Sequence, residues 1–264
     1  MNEKAATPDY GLDAPGVVRN LVLGGVTGLT VWGSAALGLW SGFLHFNVGG
    51  TAVELGLAGT GLGFAVLLLP MALWMTWSSK VGKVRGRETL LDAVAWRGDE
   101  QVLDVGCGRG LLLVGAARRL KLPGGKATGI DIWQAEDLAG NRPEATLENA
   151  RREGVLDRVE VKTADMRKLP FADGAVDVVV SKAAIHNLYE SADRAAAIRE
   201  IARVLKPGGH ALIDDIRHGS EYEQIFAKNR CSTRRLTSRG SALFWAVLTF
   251  GSLRPAILIA TKAP

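Results

Sequence analysis

The chain has 264 residues, enough for one catalytic domain and a small appendage but too few for two full domains. Its net charge is +5 and its pI about 9.4, as for proteins that meet nucleic acid or an anionic membrane. Aromatic residues are only 6% and the basic residues form no long block, so charge alone selects neither partner. The two cysteines, Cys107 and Cys231, lack CxxC or CxxH spacing, which argues against a disulfide framework or a structural zinc site. No metal is expected, and a reducing, cytoplasmic setting is the default for the catalytic part.

From Asn20 to Ser79 the only charged residue is Glu54. Two apolar runs, about Leu21–Leu44 and Leu55–Trp77, flank the polar segment His45-Phe46-Asn47-Val48-Gly49-Gly50-Thr51. Each run exceeds the roughly 20 residues needed to cross a hydrocarbon core, so the pattern predicts a transmembrane hairpin of two helices. A cleaved signal peptide has one short apolar core, whereas this stretch is long and repeats. Lys80, Lys83, Arg85 and Arg87 follow the second run and no Lys or Arg lies in the connecting turn. The positive-inside rule then places both termini and the downstream chain in the cytoplasm. Trp40, Trp74 and Trp77 fall near the expected interfaces, and Pro70 is a candidate kink. Gly24-x-x-x-Gly28 and Gly59-x-x-x-Gly63 offer small-residue faces for close packing, and the helices could also mediate homo-oligomer contacts. The expected organisation is a tail and hairpin over residues 1–79, a basic juxtamembrane linker over 80–87 and a catalytic domain over 88–264.

After Arg87, short β-type runs alternate with amphipathic helical stretches, the pattern of an α/β domain with a mainly parallel sheet. Strands are expected at Gln101–Val105, Lys126–Ile132, Val159–Lys162, Val176–Ser181, His210–Ile216 and Pro255–Lys262. Helices are expected at Leu111–Leu120, Ala145–Glu153 and Ala192–Leu205. The loop Gly106-Cys107-Gly108-Arg109-Gly110 lets the backbone turn tightly and approach a ligand. Nicotinamide-binding folds use a similar loop with an acidic residue about 20 positions on, as Asp131 would be. The glycines by themselves indicate only a nucleoside-bearing cofactor.

The full set of landmarks says more. Val102–Gly110, Gly129-Ile130-Asp131, Thr163-Ala164-Asp165-Met166 with Leu169-Pro170-Phe171, Asp177–Ser181 and Leu205-Lys206-Pro207-Gly208-Gly209 occur in order from about Glu88 to Lys262. Together they resemble class I S-adenosylmethionine-dependent methyltransferases of the small-molecule, lipid and quinone type. That resemblance implies a Rossmann-like, mainly parallel seven-stranded sheet with an antiparallel last strand, and S-adenosylmethionine as cofactor. It implies that Gly106, Gly108 and Gly110 pass beside the methionyl part and that Asp104 positions its amino group. Asp131 would accept from the ribose hydroxyls and Asp165 from the adenine amino group, with Met166 flanking the ring. Ile132 and Trp133 would wall the adenine, and Ser181 would complete the cofactor site.

Methyl transfer needs an acceptor aligned with the activated methyl, and a general base only where the acceptor loses a proton. His186, after the fourth strand, is the best-placed base, and Asp214 and Asp215 end the fifth strand as further catalytic candidates. The fourth strand lacks the Asn/Asp-Pro-Pro-Tyr/Phe motif, and neither cysteine follows a proline as in cytosine-methylating enzymes, so nucleic acid is not the expected substrate. Cys107 reads as a small residue packed in the glycine loop. Lys228, Arg230, Arg234, Arg235 and Arg239 precede the apolar segment Ala242–Phe250, which reads as a strand or lid helix, or as a surface resting on an anionic bilayer. The expected activity is methylation of a lipophilic, membrane-borne small molecule. A soluble metabolite, with the hairpin as anchor only, is the alternative, and a non-catalytic cofactor-binding adaptor is the reading from another class.

Overall fold

The computed structural model describes residues 7–134, 138, 140–249 and 253–264, and the chain divides into two compact units. One spans residues 11–83; the other spans 84–134 and 140–264 together with the tail as far as Tyr10.

In the first unit, helix α1 (Pro15–Ala36) starts with Pro15 at its first turn, where the missing N–H costs nothing. Strands β1 (Phe43–Val48) and β2 (Thr51–Gly56) then pair antiparallel around Gly49-Gly50, both at positive φ. Helix α2 (Leu57–Trp77) runs through Pro70 into a π-helical turn, Ser78–Gly82. The connector is therefore a β-hairpin rather than a short turn, and α1 ends eight residues before Leu44, the expected end of the first run. Gly38 and Gly42, at φ 74° and 82°, break the chain between them. Glu54 sits opposite His45 across the hairpin, 3.2 Å from its ring.

Two membrane-crossing helices were expected from the apolar runs. Among the described residues one helical run, Leu57–Leu91, is long and apolar enough to cross a membrane by length and composition. Helix α1 does not qualify, being shortened at Ala36 and diluted by Arg19, Asn20 and several Gly, Ser and Thr. The helices pack through glycine: Gly24 and Gly28 both face α2, a Cβ on Gly24 lying 2.9 Å from Leu68, but Gly61 takes the place expected of Gly59-x-x-x-Gly63. A Cβ on Gly28 would lie 2.3 Å from the Gly61 carbonyl oxygen, and one on Gly61 2.7 Å from that of Gly28. Gly59 and Gly63 have nothing within 4 Å. Small residues (Gly25, Gly28, Gly61, Ala65, Ala72) are buried, while Leu23, Val26, Trp32, Phe64, Leu67 and Leu73 are exposed.

The second unit begins with α3, whose range Lys83–Leu91 straddles the division. Strand β3 (Gln101–Val105), helix α4 (Leu111–Ala117), strand β4 (Lys126–Asp131), helix α5 (Pro143–Arg152) and strands β5 (Val159–Thr163) and β6 (Val176–Lys182) follow. After α6 (Ser191–Val204) come β7 (Leu205–Asp215), α7 (Gly219–Lys228), β8 (Cys231–Arg235), α8 (Arg239–Leu248) and β9 (Ala256–Lys262). The seven strands lie in the order β5-β4-β3-β6-β7-β9-β8, with β3 to β7 parallel and β9 antiparallel to both neighbours. This is the expected Rossmann-like sheet.

The central strands are apolar on both faces because helices cover both. Val179 and Ile213 join one core with Ile198 and Phe226, while Val178, Val180 and Leu212 join the other with Leu91 and Leu113. Each such fully buried side chain contributes about 1.5–3 kcal/mol. The polar edge strand β8 takes up Arg234 and Arg235 of the basic cluster, and α8 takes most of the apolar segment after it. Phe250, the expected end of that segment, lies outside the described residues.

Candidate active site

Sheet order reverses between β3 and β6, and in open α/β sheets ligands bind outside the carboxyl ends of the strands at such a switch point. Gly106, Gly108 and Gly110 follow β3 with φ of 73°, 52° and 82°, a conformation that side chains resist. A Cβ on Gly106 would come within 2.3 Å of the Ala184 Cβ, so the glycine loop touches the segment after β6. The Gly106 and Cys107 N–H groups donate to the Ile130 carbonyl at 2.9 and 3.0 Å. From α5, Thr146 Oγ1 donates to the Gly108 carbonyl (2.6 Å) and Asn149 Nδ2 to that of Arg109 (2.9 Å). Asn149 also binds the tail, accepting from Asp9 N–H and donating to the Asp9 carbonyl, and Asp9 pairs with Arg109. The tail is thus fastened to the glycine loop, which sequence reading did not anticipate. Cys107 packs on Gly129, and burial pushes its thiol well above the usual range.

Three carboxylates were expected to bind the cofactor. Asp104 is 2% exposed, accepts from Leu113 N–H at 2.8 Å, and is pushed up to about 8 by burial, with the charge of Asp131 adding to the effect. Asp131 ends β4 and accepts from the N–H groups of Gly108 (2.8 Å) and Trp133 (2.7 Å) and from Asn141 Nδ2 (3.3 Å). Trp133 has a φ of 61°, uncommon for a bulky residue, and its indole N–H donates to Thr163 Oγ1. Asp165 is held by Arg167, whose guanidinium keeps its carboxyl below the usual range, and Arg167 also pairs with Asp193. Met166 packs on the core beside Gly106, Ile132 is exposed, and the buried Ser181 hydroxyl donates to the Val105 carbonyl at 2.8 Å.

Around the ends of β6 and β7, residues distant in sequence come together. His186 Nδ1 lies 2.6 Å from Asp215 Oδ1, and the His186 N–H donates to Asp215 Oδ2 at 3.0 Å. Ile216 N–H and the Tyr222 hydroxyl also donate to the Asp215 carboxylate, at 2.8 and 3.1 Å. The other three partners of this carboxyl group are donors, a setting that favours Nδ1–H as the fourth and leaves Nε2 as the ring nitrogen not engaged by Asp215. Burial and the Asp215 charge push the Tyr222 phenol up, so it remains a donor. Asp214 points elsewhere: it pairs with Lys182 across the ends of β6 and β7, on the opposite face of the sheet from Asp215. Arg194, buried in α6, donates to the Leu188 and Tyr189 carbonyls and to Glu221, fixing the segment after His186 against α7. An arginine in register with Ala197, Ile198 and Ile201 was the available sequence signal for this clamp. Among the described residues no cluster of His, Cys, Asp or Glu could hold a metal ion.

Residues 103–213 match the family model described as a methyltransferase domain. The chain is 36% identical over 132 residues to the methyltransferase GfsG of Streptomyces halstedii, covering 50% of this chain and 43% of that protein. It is 34% identical over 119 residues to the 27-O-demethylrifamycin SV methyltransferase of Amycolatopsis mediterranei, covering 45% and 39%. The chain thus spans less than half the length of these curated relatives. The YcgJ protein of Bacillus subtilis has the same fold, with a TM-score of 0.53 at 18% identity, over 68% of this chain and 99% of that one. Residues 103–213 are therefore similar to a methyltransferase domain, on a fold of the class I S-adenosylmethionine-dependent type.

Proposed function

We propose that the whole chain is an S-adenosylmethionine-dependent methyltransferase that acts on a small organic acceptor, with His186 as general base and Asp215 as its positioning residue. The observation that carries the reading is the 2.6 Å His186–Asp215 pair, one short segment away from the Ala184–Gly106 contact with the glycine loop. The residues fit the cofactor on their own terms. A buried acid at Asp104, raised to about 8 and held by one backbone N–H, suits an ammonium group, and Gly106 lacks the Cβ that would run into Ala184. Asp131 Oδ2 accepts from the Gly108 N–H and has lone-pair capacity left for a ribose hydroxyl, while Oδ1 already accepts from both Trp133 N–H and Asn141 Nδ2. Asp165 and Met166 are assigned to the adenine with Ile132 as an apolar wall, and Ser181 acts by holding the end of β3.

When bound, S-adenosylmethionine supplies a methyl group activated on a sulfonium. His186 Nε2 takes the proton that the acceptor's hydroxyl or amine loses as it is methylated. Asp215 holds the ring in the Nδ1–H tautomer and offsets the positive charge that develops on it. Asp214, committed to Lys182 on the opposite face of the sheet, takes no part in this proton transfer. The test of the cofactor site is the dissociation constant for S-adenosylmethionine in wild-type protein and Asp131→Ala. At least a tenfold weakening is expected, and an unchanged value would remove the ribose assignment.

A finer reading is favoured by the first unit. Large apolar side chains face outward on α1 and α2 while glycine and alanine fill their contact, the arrangement expected where lipid is the solvent. We infer a membrane anchor, with the catalytic unit cytoplasmic and the acceptor lipophilic. The match to a rifamycin-precursor methyltransferase supports a small-molecule acceptor equally well with the helices as anchor only.

A further inference from the structure

A cleft of ≈ 710 Å³ opens beside the start of α7, with Arg217, Glu223, Arg235, Leu243, Ala246 and Arg254 in its lining. It adjoins the catalytic dyad through α7, because Arg217 lies two residues after Asp215 and the Tyr222 hydroxyl donates to Asp215 at 3.1 Å. The cleft is positively charged. Its lining holds three arginines against two glutamates, Glu221 and Glu223, and Glu221 is already neutralised by Arg194 from outside it. Arg235 grips Glu223 with two nitrogens, at 3.0 and 2.8 Å, while Arg254 is exposed.

Part of the lining is apolar. Helix α8 lines the cleft with Leu243 and Ala246, and Leu243 and Val247 are 65% and 71% exposed, an unusual expense of apolar surface on a ten-residue helix. The insertion carrying α8 is tied down at both ends. Leu236 N–H donates to the Ile257 carbonyl at 2.8 Å, and Arg254 N–H to the Ile216 carbonyl at 2.8 Å. The second bond holds Arg254 at the end of β7, beside the segment that carries Arg217.

We propose that this cleft binds the anionic end of an amphiphilic acceptor, a phosphate or carboxylate on an apolar chain, with the arginines on the anion and α8 on the chain. Planar guanidinium groups suit a phosphate or carboxylate, and an apolar chain removes Leu243 from water. The inference deepens the methyl-transfer reading and rests on it for calling the ligand the acceptor.

The test titrates full-length protein in a neutral detergent with octyl phosphate, inorganic phosphate and S-adenosylmethionine by calorimetry. Arg254→Glu and Leu243→Ser are compared with wild type; both positions are exposed, so neither change endangers folding. Octyl phosphate is expected to bind wild type, at least ~10-fold more weakly to Arg254→Glu and several-fold more weakly to Leu243→Ser, with S-adenosylmethionine affinity unchanged. Inorganic phosphate binding as tightly as octyl phosphate would overturn the amphiphile in favour of free phosphate. Octyl phosphate that fails to bind wild type, or binds Arg254→Glu equally well, would overturn the cleft assignment. If S-adenosylmethionine does not bind wild type, the methyl-transfer reading fails instead, and the two failures are separable in one sample.

Discussion

Replacing Asp215 by asparagine is the most informative single change. The carboxylate accepts four hydrogen bonds, from His186 Nδ1 and Ile216 N–H on Oδ1 and from His186 N–H and the Tyr222 hydroxyl on Oδ2. An amide offers one acceptor oxygen, so its NH2 must face one of these pairs. Turned toward His186 Nδ1, it makes the ring accept there and moves the proton to Nε2, where the base is needed; it also opposes the Ile216 N–H. Turned the other way, it opposes the His186 N–H. Each lost charge-assisted bond at this buried position costs about 1.5–3 kcal/mol, and loss of the base lowers the rate by about 10²–10⁴-fold. The assay is kcat for S-adenosylhomocysteine formation with a proton-losing acceptor, over a range of pH, alongside the S-adenosylmethionine dissociation constant. Asp215→Asn should lose kcat by at least 10²-fold and keep cofactor affinity within about threefold. The rate in His186→Ala should lose the pH dependence attributable to the imidazole. A kcat within twofold of wild type in Asp215→Asn would refute the dyad.

Three further outcomes follow from the geometry. Asp104 keeps its proton in the folded state up to about pH 8 but loses it near 3.8 when unfolded, so the unfolded state binds fewer protons between those values and stability falls as pH rises across that window; thermal melts should show this fall in wild type and lose it in Asp104→Asn, which should also bind S-adenosylmethionine more weakly. Asn149→Ala removes three hydrogen bonds that join Asp9 and Arg109, and chemical denaturation should register a loss of about 1–3 kcal/mol with faster cofactor dissociation; an unaltered off-rate would mean that the tail fastening has no bearing on the cofactor. Gly28→Leu should separate α1 from α2 because its Cβ would enter the Gly61 carbonyl, whereas Gly63→Leu should be tolerated, as cysteine crosslinking between the helices would read out.

Much of the catalytic fold was legible because its signals are local. The runs at Gln101–Val105 and Val176–Lys182 are apolar on both faces and bounded by turn residues, and these two strands fall within a residue of expectation, whereas β7 begins at Leu205, five residues before the expected His210. Strand β8 was not legible: Cys231-Ser-Thr-Arg-Arg lies at the sheet edge, carries polar side chains, and reads as part of a basic cluster. The β-hairpin was hidden for a related reason, since Phe43 and Leu44 continue the apolar run of α1 without a charge to mark the change. In the site, His186, Asp214 and Asp215 could be named one by one, but only the fold decides that Asp215 meets His186 while Asp214 meets Lys182. Adjacent residues of a strand face opposite ways, so that division depends on strand register. Tyr222 and the Asp9–Asn149–Arg109 link join positions far apart in the chain and had no sequence signal.

The most direct test of methyl transfer by this site uses full-length protein, S-adenosylmethionine with a radioactive methyl group, and separate pools of membrane lipids and soluble metabolites. Label should pass to an organic acceptor with wild type and fall by at least 10²-fold with His186→Ala. Label in the lipid fraction supports the lipophilic reading, and label only in the aqueous pool makes the helices an anchor alone. No transfer to either pool by protein that binds S-adenosylmethionine would contradict the catalytic account.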